Sequence, residues 1–81
     1  MTITIPGYST ITGSPVVILR VMQDARIFDS LRGDDYINEV KSTVKRCFGF
    51  RLRVTGDTYA ERADSLLHEM AKYDLITITE D

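Results

Sequence analysis

With 81 residues, 43% hydrophobic and 27% charged, the chain has the composition of a globular protein and the length of one small domain, which excludes a disordered chain and argues against a second domain. The formal net charge is −2, and the single cysteine, Cys47, has no partner for an internal disulfide, so a reducing compartment is expected. The longest apolar run, residues 16–19, falls far short of the roughly 20 residues that span a bilayer, and no apolar leader precedes Pro6-Gly7, so the reading is a soluble, cytoplasmic protein.

Thr2-Ile3-Thr4-Ile5 alternates polar and β-branched apolar residues, the period of a half-buried strand. Pro6-Gly7 is a turn signal, and Thr10-Ile11-Thr12 continues as the second arm of a hairpin. Two readings compete for residues 15–32. The run Val16-Val17-Ile18-Leu19-Arg20-Val21-Met22 suits a buried strand. Ser14-Pro15 is a helix start and Gly33 a helix stop, and a helix would set Ile18, Val21, Met22, Ala25 and Phe28 against Arg20, Gln23 and Arg26. The helix explains both ends and is preferred.

Asp34 or Asp35 opens the next helix, with Tyr36, Ile37, Val40, Val44 and Phe48 as its apolar stripe and Gly49 as its stop. Phe50-Arg51-Leu52-Arg53-Val54 alternates strictly and reads as a strand with both arginines on one face. Thr58 and Glu61 have capping-box spacing at the head of a helix carrying Tyr59, Ala63, Leu66, Met70 and Tyr73. Residues 75–79 read as a closing strand, so 50–54 and 75–79 flank a helix in a way that allows a parallel crossover. The expected fold is α+β: a single small domain, with a three- or four-stranded sheet and two or three helices on one face.

Catalytic chemistry finds little to stand on. His68 is the only histidine and falls on the polar side of its helix among Glu61, Asp64, Ser65 and Lys72; Cys47 has no base nearby in sequence. Neither belongs to a spacing that would bind zinc, and no glycine pattern suits a phosphate loop. Asp34-Asp35 suits a helix N-terminus better than a metal. No catalytic residue, no metal and no cofactor are expected, and the chain is read as a non-enzyme.

The informative feature is charge asymmetry. Lys41, Lys45, Arg46, Arg51 and Arg53 lie within 13 residues with no acidic residue among them, and all twelve acidic residues fall elsewhere. If 50–54 is a strand on an open-faced sheet, Arg51 and Arg53 would project beside Thr77 and Thr79. Such a surface suits an acidic protein or phosphates. Against nucleic acid stand the acidic overall balance and the lack of an exposed aromatic on the sheet for stacking bases. A separate acidic ridge, Asp57, Glu61 and Asp64 with Asp24, Asp29, Asp34 and Asp35, is the kind of surface by which some phage-encoded inhibitors of host defence or repair proteins compete with nucleic acid.

The sequence therefore predicts a small interaction protein, a regulator or inhibitor, that binds a protein partner through Lys41, Lys45, Arg46, Arg51 and Arg53. Nucleic-acid binding by the same residues is the alternative, and an enzyme completed only in an oligomer is a third. A homodimer is also expected, because residues 1–19 carry no charged side chain to protect the edge of the N-terminal strand.

Overall fold

A computed structural model of the chain describes residues 1–7, 9–25 and 33–79. In chain order these form β1 (Thr2–Thr4), β2 (Thr10–Thr12), α1 (Pro15–Asp24), α2 (Gly33–Phe48), α3 (Tyr59–Lys72) and β3 (Thr77–Thr79). The α+β architecture follows the sequence reading, with three strands and three helices.

All three strands are the same tripeptide, Thr-Ile-Thr. The sheet order is β2-β1-β3, both pairings antiparallel, with Ile3 opposite Ile11 on one side and Ile78 on the other. The isoleucines form one row facing the helices and the threonines line the other face, because strand side chains alternate. Cross-strand hydroxyl pairs, Thr2–Thr12 at 3.0 Å and Thr4–Thr10 at 3.2 Å, tie β1 to β2.

α1 begins as expected: the Ser14 hydroxyl accepts from the Val17 amide at 3.3 Å, and Pro15 occupies the first turn. It is described to Asp24, with Ala25 as its cap; the expected continuation through Arg26 and Phe28 lies outside the described residues. Its inward face differs from the expected one. Ile18, Leu19, Met22 and Gln23 are buried, while Val21 and Ala25 face outward. Gln23 tolerates burial, at 7% exposure, because its amide donates to the Tyr59 hydroxyl at 3.0 Å.

α2 buries Tyr36, Ile37, Val40 and Val44 as its spacing dictates, but Phe48, expected at the end of that stripe, is 54% exposed. Gly49 ends the helix at φ 79°, its amide bonded to the Lys45 carbonyl. Asp34, in the first turn, receives both Nε and Nη2 of Arg62 at 2.8 and 3.1 Å, which fastens the start of α2 to α3. That hydrogen bond, with the charge of Asp34, pushes the Arg62 pKa further up.

α3 is capped by Thr58, whose hydroxyl accepts from the Glu61 amide at 3.2 Å and lies 3.1 Å from the Glu61 carboxylate. Ala63, Leu66 and Met70 are buried as the stripe predicts, together with Leu67. The helix ends in a paired reverse turn: the Asp74 amide bonds Ala71 O and the Leu75 amide bonds Met70 O, with Asp74 at φ 60°. β3 then starts at Thr77, two residues later than expected.

The strand expected at 50–54 is not one. These residues pair with no strand, β3 runs antiparallel to β1, and the parallel crossover is absent. The in-and-out alternation survives: Leu52 is 2% exposed and Val54 half-buried, while Arg51 and Arg53 face solvent. What replaces the ladder is α3. The Arg53 amide donates to Glu69 Oε1 at 2.8 Å and the Thr55 amide to Ser65 Oγ at 3.0 Å, while Ser65 Oγ lies 3.4 Å from the Arg53 carbonyl. Gly56 then passes so close to α3 that a Cβ there would meet Glu61 Cβ at 2.6 Å.

Candidate binding surface on α2 and the extended segment

The basic residues reach their positions by different routes. Lys41 and Lys45 stand one turn apart on α2, on a flank set by the burial of Val40 and Val44 on the adjoining face. Arg51 and Arg53 face outward because Leu52 between them is driven into the core. The result is an open cavity of about 390 Å³ lined by Lys41, Ser42, Lys45, Arg51, Leu52 and Arg53. Four of the five cations expected to bind a partner thus converge on one hollow. Arg46 lies outside its lining, exposed in the last turn of α2.

Among the described residues no carboxylate lines the hollow. Among the described residues the ion pairs are Arg62–Asp34 and the contact of His68 with Asp64, so none of the five cations is neutralised by a salt bridge. Glu69 Oε1 is taken up by the Arg53 amide. The expected projection of Arg51 and Arg53 beside Thr77 and Thr79 does not occur, because the arginines belong to a segment outside the sheet.

Next to the cations stands an aromatic stack that the sequence reading did not foresee. Phe48 and Phe50 lie 6.4 Å apart and 4° from parallel; Phe50 and Tyr73 lie 4.6 Å apart and 9° from parallel. Lys72 Nζ sits 5.7 Å from the Tyr73 ring centre. Phe48 is the exposed end of the stack. The sequence signal was the closeness of Phe48, Phe50 and Arg51 around Gly49, which turns the chain back and places the last residue of α2 beside the extended segment.

The remaining candidates stay apart from this surface. His68 is exposed, with Nδ1 2.9 Å from the Asp64 carbonyl and 3.4 Å from Asp64 Oδ1, a contact within its own helix. Cys47 is an exposed free thiol. Among the described residues no group of three or more His, Cys, Asp or Glu is placed to hold a metal ion, and no helix is long and apolar enough to cross a membrane. No protein-family model matches the chain, and no curated protein or solved structure is similar to it.

Proposed function

We propose that the protein is a non-enzymatic binding module that acts on a protein partner, as a regulator or inhibitor, through the surface formed by Lys41, Lys45, Arg51, Arg53 and Phe48. The observation that carries this reading is the convergence on one cavity of four cations that have no salt bridge among the described residues, with the exposed ring of Phe48 at the end of the same helix. Arginine and aromatic residues are the side chains enriched where protein interfaces concentrate their binding energy. The cations stand on a helix and on a segment pinned to α3, so little ordering entropy is lost on binding. Arg46 extends the positive field at the rim.

The test is capture of partners from a lysate of the source cells by the wild-type chain and by Arg51→Ser/Arg53→Ser. Neither side chain enters the core, so the variant keeps its fold and its thermal midpoint. Affinity for a captured protein is expected to fall by more than tenfold, about 1.4 kcal/mol. Equal affinity of the two chains rejects the surface.

A second reading, single-stranded nucleic acid, is favoured by Phe48, since an exposed ring beside cations is what base stacking requires. Salt separates the two. Phosphate-backbone binding weakens linearly in log salt with a slope set by the number of phosphates engaged, whereas an interface anchored by Phe48 weakens less.

A further inference from the structure

We infer that the cavity between α2 and the extended segment is a recognition pocket for a phosphomonoester, the group a phosphorylated side chain of the partner presents. The inference rests on the reading of this surface as a partner-binding site and names the chemistry it selects. Lys41, Lys45, Arg51 and Arg53 surround a single hollow of about 390 Å³, with the Ser42 hydroxyl as a further donor and Leu52 buried in its wall.

Charge number decides between ligands. A carboxylate brings one negative charge and two acceptor oxygens to four cations. A phosphomonoester brings about −1.5 to −2 charges at neutral pH and three acceptor oxygens, and it suits arginine forks in a bidentate manner. Among the described residues no acidic side chain of the lining offsets the four cations, so a dianion gains more there than a monoanion.

The Leu52 amide is a candidate backbone donor beside the cations. The amides of Arg53 and Thr55 turn toward α3 and bond Glu69 and Ser65. In an extended chain the amide between them in the alternation points the other way, and the same holds for Leu52. Leu52 is a wall residue, and among the described residues its amide has no hydrogen-bond partner. Donors of this kind are what phosphate sites recruit alongside basic side chains. Convergence also separates a phosphoprotein from nucleic acid. A single strand needs cations spread along a track at the spacing of its phosphates, whereas four cations around one hollow suit one highly charged terminal group. The acidic balance of the rest of the chain further disfavours a long polyanion.

The experiment titrates the full ¹⁵N-labelled chain with inorganic phosphate, then with a short peptide carrying one phosphoserine. The same peptide with serine or glutamate at that position, and a mixed-sequence single-stranded oligonucleotide, complete the set. Phosphate is expected to shift the amides of Lys41, Ser42, Leu52 and Arg53. The phosphopeptide should bind at least about tenfold more tightly than the glutamate peptide, and Lys45→Ser/Arg51→Ser should lose at least tenfold while keeping a dispersed spectrum. Absence of those shifts at tens of millimolar phosphate, equal binding of the glutamate and phosphoserine peptides, or tighter binding of the oligonucleotide overturns the inference. Capture of a protein partner that persists after enzymatic dephosphorylation overturns the phosphate pocket and leaves the binding module standing. Loss of all capture by the wild type sinks both.

Discussion

Leu66 and Phe48 show how much one side chain's surroundings matter, since the same helical spacing assigned both to the core. Leu66 is fully buried between the sheet and the other helices, whereas Phe48 is more than half exposed at the end of an aromatic stack. Leu66→Ala removes buried methyl groups from a thin core and is expected to cost about 2–4 kcal/mol. Phe48→Ala loses one offset stacking contact and is expected to cost less than about 1 kcal/mol. Urea denaturation of the two variants checks the contrast; an unchanged midpoint for Leu66→Ala would contradict the inward face of α3. His68 and Cys47 sit at the other extreme, both exposed and neither in the lining of the cationic hollow. His68→Ala with Cys47→Ser is expected to retain full partner affinity, and loss of affinity with the fold intact would return catalytic or metal chemistry to consideration.

Among the elements, the end of α3 offers the sharpest test. Asp74 occupies the left-handed region, where a Cβ is unfavourable and glycine is the usual residue. Its two flanking hydrogen bonds hold the turn in place, so Asp74→Gly keeps the geometry and relieves the strain. An increase of about 1 kcal/mol is expected, a rise of roughly 4–8 °C in the thermal midpoint of a domain this size. A fall in the midpoint would mean that the Asp74 side chain contributes more than its backbone costs. Three helix ends were legible in the sequence because capping is local chemistry: Ser14-Pro15, Thr58 with Glu61, and Gly49 act where the residue types said they would, whereas Gly33, expected to stop α1, opens α2 and α1 is capped at Ala25. The face of α1 was less so, since Gln23 is buried only because Tyr59, 36 residues away, offers a hydroxyl. The 50–54 segment shows the same limit. Its period of two reports which side chains are buried, and that part was right; it carries no information about what bonds the backbone, which turned out to be Glu69 and Ser65. The basic residues were legible as a charge count, but their convergence on one cavity, and the presence of Ser42 and Phe48 beside it, depend on how α2 lies against a distant segment.

On the scale of the whole molecule, the expected homodimer has to be argued from a different edge. β1, taken from the sequence as an exposed edge, is the central strand and is paired on both sides. The open edges are β2 and β3, and neither carries a charged side chain within its three residues. β2 leads within three residues to α1, where Val16, Val17 and Val21 are exposed. An uncharged strand edge continuous with exposed valines, on a chain whose net charge of −2 gives little mutual repulsion, is a surface expected to pair with its own copy across a twofold axis. The shortness of β2 limits the hydrogen bonds such a pairing can add, so the valines must supply most of the association and the dimer should be weak and concentration-dependent. Light scattering at rising concentration is expected to move from the 9.2 kDa monomer toward twice that mass. Val17→Lys with Val21→Lys, both on the exposed side of α1, should hold the chain as a monomer at every concentration without lowering its stability. A wild-type chain that stays at monomer mass in concentrated solution would reject the dimer. It would leave the cationic hollow, on the other elements of the fold, as the proposed partner-binding surface.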